Sequence, residues 1–255
     1  MDKQHITAGL DSEDRLVLSR LYDLAQRCLL SGAPMFSAFL SPRVQQIALA
    51  RIHGDFTITP FGGYEDAERK MLRFAPPDAW EQPFPICAVQ ARTGGGALLS
   101  HRDFLGAALG LGLTREAIGD IAVDGDCAIY FCTPPACKLL LQELKAAGRC
   151  PLHCAQVDDV GSLAIERKFE ESTCTVSSMR LDCVVGAVLG KSRSLSAGLI
   201  EKGLVAVNYE VQTSCAKQVP ENAVLSVRGY GKMQVVPTGG VSKKGRVHLL
   251  VKKYV

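Results

Sequence analysis

Strand and helix signals alternate between Pro85 and Val157 in an order that few architectures accept. Pro85 to Ala91 is an apolar, strand-like run, Asp103 to Gly112 has helical spacing, and Ile121-Ala122-Val123 returns to a strand. Asp124-Gly125 is a tight hairpin signal, because these residues tolerate the positive φ angles of a two-residue turn, and Cys127 to Cys132 is the returning strand. Pro134-Pro135 then opens a helix expected to reach Ala147 and stop at Gly148, and Leu152 to Val157 supplies the last strand. The β-α-β-β-α-β order is that of the ferredoxin-like plait, which RNA-recognition modules share with many unrelated proteins, so it limits the fold more than the function. Tyr130-Phe131 falls on the third strand without an Arg-Gly-Phe-type sequence around it, and packing of both rings in the core or at an edge is expected rather than base stacking.

Ahead of this block, apolar residues from Ser12 to Leu30 recur at helical spacing with Gly32 as a stop, and Ser41-Pro42 reads as cap and first-turn proline of a helix through Ala50. Phe56-Thr57-Ile58 and Met71-Leu72-Arg73-Phe74 read as partner strands around a sharp turn at Phe61-Gly62-Gly63-Tyr64, and Pro76-Pro77 and Pro83 mark a boundary. Behind it, residues 158 to 178 form a polar connector carrying Glu166, Arg167, Lys168, Glu170 and Glu171, with room for a strand between Ala164 and Phe169. Two short helices follow, Leu181 to Leu189 and one capped by Lys191-Ser192 that runs to Lys202. Gly203 releases the chain into strands at Val205 to Val207, Val224 to Arg228 and Val247 to Lys252. Gly229-Tyr230-Gly231 and Gly239-Gly240 supply loops, the second with Lys243-Lys244 and Arg246. The expected class is α+β in three parts: a small α+β unit over 1–82, the plait over 83–158 and a helix-pair module over 178–255.

Charge divides along the same lines. Residues 180–255 hold 12 Lys and Arg against 4 Asp and Glu, whereas residues 1–179 hold 17 against 22. A basic module on a mildly acidic body suits a polyphosphate, whose counterions Lys and Arg displace on binding. Arg180, Lys191, Ser192, Arg193, Ser196, Lys202 and Asn208 are the candidate contacts, with His101 and Arg102 as a second region. Asp182, the one acid among these cations, is expected to pair locally or cap the first helix. Arg193 can combine its guanidinium fork with the positive end of the second helix.

Other chemistries find little support. Ten cysteines show no C-x2-C pair, so no metal site, disulfide framework or cofactor is expected. No apolar run approaches the roughly 18 residues needed to span a membrane, and a cytosolic monomer is the default. His101-Arg102-Asp103 is not a kinase catalytic loop, since position 108 is Ala where that motif needs Asn. Gly94, Gly95 and Gly96 lack a following Gly-Lys-Ser or Gly-Lys-Thr. Asp103 has two readings: the nucleophile of an RNA-modifying, pseudouridine synthase-like enzyme, or simply the N-cap of the helix that it precedes.

The run Arg180-Leu181-Asp182, Ser192-Arg193, Leu199-Ile200, Gly203, Val205, Val207-Asn208 resembles the S4 RNA-binding domain over about residues 178 to 240, with Tyr209 in place of a glycine common in such domains. Phe61-Gly62-Gly63-Tyr64-Glu65 with Glu68-Arg69-Lys70 is similar to blocks of the bacterial and plastid YlmH family. So is Leu99-Ser100-His101-Arg102-Asp103-Phe104-Leu105-Gly106 with Ile118-Gly119-Asp120-Ile121, and together the likeness spans nearly the whole chain. The resemblance implies ribosome-associated RNA binding, to a large ribosomal subunit carrying stalled peptidyl-tRNA in ribosome quality control, with a gene-neighbourhood link to cell division; the leading expectation is a non-enzymatic protein that docks structured ribosomal RNA or tRNA. An assembly protein whose plait binds another protein, the basic end adding avidity, is a third possibility.

Overall fold

The computed structural model describes residues 2–160, 165, 169–241 and 245–254, with backbone alone at 241. Glu166, Arg167, Lys168, Lys243, Lys244 and the start of the strand expected from Ala164 lie outside the described residues. The chain divides into two compact units, Met1–Ile165 and Glu166–Val255.

Unit one opens with α1 (Lys3–Thr7), α2 (Ser12–Ser31), β1 (Met35–Phe36), α3 (Pro42–Arg51), β2 (Thr57–Phe61) and β3 (Met71–Ala75), the strands forming an antiparallel sheet in the order β1-β3-β2. Both main helices start where their caps dictate. Asp11 accepts from the Asp14 N–H at 2.9 Å, and Ser41 accepts from Val44 one residue before a first-turn proline. Gly32 ends α2 in the left-handed region at φ 66°. Leu18, Leu21, Ala25 and Cys28 form one stripe of α2 and meet Val44 and Ala48 of α3 and Leu72 and Phe74 of β3 in a buried core.

The same unit continues through β4 (Cys87–Thr93), a short turn at Gly94–Gly96, α4 (His101–Gly110), β5 (Ile118–Asp124), β6 (Cys127–Cys132), α5 (Pro134–Glu143), β7 (Ala146–Ala147) and β8 (Cys150–Val157). The sheet order β5-β6-β4-β8-β7, antiparallel throughout, is the plait order with one extra edge strand. The extra strand corrects the length expected of α5, which stops at Glu143; Ala146 and Ala147 pair instead with Pro151 and Cys150. Helix α4 also begins earlier than its apolar spacing suggests. Ser100 is its N-cap, and Asp103 returns the bond from the third helical position, so Asp103 is the second half of a capping box rather than the cap itself.

Each face of the plait is covered. On one, Phe104, Ala108, Ala136 and Leu140 of the helices pack on Val89, Ala91, Ala128 and Tyr130, and the buried Tyr130 hydroxyl donates to the Phe104 carbonyl at 2.8 Å. On the other, Ala88 and Phe131 bury against Phe39 and Met71 from the preceding elements, with the Tyr64 ring 5.0 Å from that of Phe131. This second face is the one on which RNA-recognition modules stack bases, and here protein occupies the aromatic position.

Asp120 joins the two sheets of this unit. Its carboxylate accepts from the Tyr64 hydroxyl at 2.8 Å and from the backbone N–H groups of Glu68 at 2.7 Å and Arg69 at 3.0 Å. Arg69 works in the opposite direction, donating to the carbonyls of Ile118, Phe39 and Arg115. Gly63 sits at φ 104° with the Phe131 ring where a Cβ would go, and a Cβ at Gly119 would stand 2.6 Å from the Phe39 ring. Backbone strain and overpacking therefore add at position 63, and Gly63→Ala is expected to destabilise unit one by about 3 kcal/mol, read as a lower denaturant midpoint with an unchanged slope.

Unit two comprises β9 (Phe169–Val176), α6 (Leu181–Leu189), α7 (Arg193–Glu201), β10 (Val205–Val207), β11 (Glu210–Gln212), β12 (Ala223–Val227), β13 (Gly231–Val241) and β14 (Val247–Tyr254). Its six-stranded antiparallel sheet has the order β11-β10-β12-β13-β14-β9. Alternate residues of the strands, among them Val205, Leu225, Val235 and Leu249, face Leu181, Val184, Val185 and Ile200 of the helices. The helices bend 117° between them, with Gly190 at φ 61° making the turn. A Cβ at Gly186 would stand 3.3 Å from both the Lys191 carbonyl and the Ser196 hydroxyl, so glycine there eases the close approach of α6 to the start of α7. Among the described residues no single helix is long and apolar enough to cross a membrane.

Candidate nucleic-acid interface

The helix pair is held by one carboxylate. Asp182 is only 4% exposed, because it lies in the first turn of α6 beneath the start of α7. Arg180 grips it through Nε and a terminal nitrogen, both at 3.1 Å, and Arg193 reaches it from α7 at 2.9 and 2.7 Å. The remaining local donor, the Cys183 N–H, lies 2.9 Å from the same group. Arg180 first, and then Arg193, hold the Asp182 carboxyl far below the usual carboxylate range, and Asp182 in turn keeps both guanidinium groups charged. Two long cationic side chains that would otherwise sample many rotamers are thereby fixed side by side. Arg193 still presents 63% of its side chain to solvent.

This geometry has a consequence for pH. A carboxyl whose folded pKa is depressed contributes stability that is complete above its unfolded pKa of about 4 and is lost as pH falls through the folded value. Unit two is accordingly expected to lose stability below about pH 4, and Asp182→Asn to flatten that part of the profile while lowering the neutral-pH plateau. Thermal melting of both proteins between pH 2 and 7 checks this.

The other candidates divide. Lys191 is exposed in the turn beside Arg193, and Ser192 is exposed while its hydroxyl accepts from the Leu195 N–H at 3.3 Å, so it caps α7. Ser196 is corrected by the structure: it is completely buried and donates to the Ser192 carbonyl at 3.1 Å, bracing the helix start instead of facing a ligand. Lys202 is exposed but stands at the far end of α7, roughly 13 Å along the helix from Arg193. Asn208 is spent on its own turn, its side-chain oxygen accepting from the Val224 N–H at 2.9 Å. Asn208 and Tyr209 take φ 48° and 68°, the two positive angles of a tight hairpin, so tyrosine occupies a position that glycine fills without cost.

An open cleft beside the pair went unread in the sequence. Ser177, Gly186, Gly190, Lys191, Arg193 and Arg246 are among the residues that line it. Arg246 carried no signal beyond its charge, since it enters from a hairpin more than 50 residues after Arg193.

In unit one, His101, Arg102 and Asp103 are all exposed at the start of α4. Crowding by neighbouring protein, although its side chain still reaches solvent, and then the Arg115 guanidinium lower the pKa of His101. Asp103 is bound to Ser100, whose hydroxyl lies 2.6 Å and backbone N–H 2.9 Å away, and these bonds lower its pKa. The ten cysteines are all free, and among the described residues no group of His, Cys, Asp and Glu could hold a metal ion.

Two family models match unit one: one described as "YlmH, N-terminal" over residues 13–79, and one described as "Putative RNA-binding domain in YlmH" over residues 96–159. Among curated proteins, the Ribosome-associated protein quality control protein P2 of Bacillus subtilis (strain 168) is 31% identical over 217 residues, covering 82% of each chain. Among solved structures, the Cell division protein ylmH from Streptococcus pneumoniae superposes with a TM-score of 0.50 at 23% identity, over 58% of this chain and 93% of that one. That likeness concerns the fold.

Proposed function

Because the chain belongs to the YlmH family, we propose that it is a ribosome-associated RNA-binding protein which docks structured ribosomal RNA or tRNA through the helix pair of unit two. The observation that carries this reading is the fixation of Arg180 and Arg193 on the buried Asp182, with Lys191 in the adjoining turn. Such a surface recognises phosphates by charge and shape, as structured RNA requires, and the two helices carry no aromatic side chain on which a base could stack.

In finer detail, unit two acts as an S4 domain on the large ribosomal subunit carrying stalled peptidyl-tRNA; the name of the Bacillus subtilis relative supports a ribosome-associated role in protein quality control. The chain works as a cytoplasmic monomer in three parts, 1–82, 83–158 and 178–255, with Arg102 and the rest of the α4 start as a second RNA contact. It acts without catalysis: Asp103, the group that an RNA-modifying reaction would need, is engaged with Ser100 in the capping box of α4.

Gradient sedimentation of a tagged full chain from growing and from antibiotic-stalled cells tests the reading. The protein is expected in the large-subunit fractions, enriched after stalling, and to leave them at high salt. A protein that stays at the top of the gradient under both conditions contradicts it.

A further inference from the structure

The cleft beside the helix pair is built from parts that the helix pair alone does not supply. The α6–α7 turn with Lys191 and the start of α7 with Arg193 line it. The end of β9, from Thr175 to Ser177, lines it as well, together with Arg246 at the entry to β14. Gly186, Ala187 and Gly190, none larger than a methyl group, also line it and leave it open, and so does Asp182, whose carboxylate is engaged by Arg180 and Arg193. Both guanidinium groups are anchored from behind: Arg193 on the Asp182 carboxylate at 2.7 Å, and Arg246 by donating to the Thr175 carbonyl at 2.8 Å. Anchored cations in such a cleft lose little rotamer freedom when an anion arrives.

We propose that this cleft is a phosphate-binding site completed by Arg246, in which one backbone phosphate of the bound RNA sits among Lys191, Arg193 and Arg246. The inference rests on the RNA-binding reading and extends its interface from the helix pair to the loop end of the β13–β14 hairpin, where β14 begins. A compact anion suits the cleft better than a base, because no aromatic ring lines it. Ser177, at the end of β9, supplies a hydroxyl at the rim.

The experiment compares wild type, Arg246→Gln, Arg246→Lys and Arg228→Gln as full chains, measuring binding to purified large ribosomal subunits from 50 to 300 mM KCl, with inorganic phosphate as a separate competitor. Arg228 is an exposed cation of the same unit outside the cleft. Arg246→Gln is expected to weaken binding about 10-fold at low salt and to reduce the steepness of the log–log salt dependence by about 1, with Arg246→Lys falling between it and wild type. Arg228→Gln serves as the reference for losing one charge away from the cleft and should have a clearly smaller effect. Glutamine can still donate to the Thr175 carbonyl, and the lysine variant, which keeps the charge, serves if the glutamine variant melts early. Binding by Arg246→Gln and Arg246→Lys with the affinity and salt slope of wild type overturns the proposal. So does loss of phosphate competition in Arg246→Gln with RNA binding unchanged, which would make the cleft a free-anion site. Failure of wild type itself to bind would instead overturn the RNA-binding reading.

Discussion

Arg193→Glu is expected to weaken binding of the full chain to large ribosomal subunits by about 100-fold at 100 mM salt, the largest loss from any single change on this surface. Two effects combine. The change removes a fixed guanidinium from the phosphate side, and it sets a new carboxylate where Arg193 now lies 2.7 Å from Asp182, which then repels both it and the incoming polyanion. Arg193→Lys separates these contributions. It keeps the charge but cannot reproduce the paired approach of Nε and a terminal nitrogen to Asp182, so an intermediate loss is expected, with the salt slope close to wild type. Filter binding across a salt series, with circular dichroism to verify the fold, provides the check. An affinity for Arg193→Glu within about 3-fold of wild type would mean that this face does not meet the RNA.

Asp120→Ala is expected to have the largest effect on stability. Three hydrogen bonds converge on this carboxylate, and its removal leaves two backbone N–H groups and the Tyr64 hydroxyl between the two sheets of unit one without that acceptor. A loss of about 4 kcal/mol follows, equivalent to a fall of roughly 10 °C or more in the melting temperature of a unit of this size. Asp120→Asn retains one acceptor oxygen and should recover part of the loss. Scanning calorimetry measures both. RNA binding below the melting transition should hardly change, because the carboxylate points into the joint between the sheets. A variant that melts like wild type but binds RNA poorly would reverse that assignment.

The extent to which the chain could be read differs between its parts for physical reasons. The plait was legible because its strands alternate, its turns carry Asp124-Gly125 and Pro134-Pro135, and its helices are local. The helix pair was legible down to its ends, since Ser192, Gly190 and Gly203 punctuate it by capping chemistry that depends on nearby residues. The coarse α+β class followed from these local signals. What was read less well depends on which of several nearby partners a residue takes. Asp103 was read as the N-cap of its helix, whereas Ser100 takes that place and Asp103 is the returning half of the capping box. The apolar residues after Glu143 looked like helix until Cys150 and Pro151 offered them an edge to pair with. The block around Gly62, Gly63, Tyr64, Gly119 and Asp120 stood out in sequence with no role attached, and the structure gives it one as the joint between two sheets.

Within the site, charge alone singled out Arg180, Lys191 and Arg193, but charge cannot tell an exposed hydroxyl from a buried one. Ser196 faces the neighbouring turn because Gly186 lets α6 come close, a contact invisible to helical periodicity. Asn208 was read correctly as a turn residue and less well as a ligand contact, since its side-chain oxygen is already engaged by Val224. Arg246 was missed because only the pairing of β14 with β9 carries it to the cleft.

Protein–RNA cross-linking of the full chain on purified large ribosomal subunits, with peptide identification by mass spectrometry, tests the central claim most directly. Cross-links are expected to concentrate in peptides spanning residues 180–202, with a weaker set near Arg102. RNA adducts confined to unit one, with residues 180–202 free of them, would contradict the account.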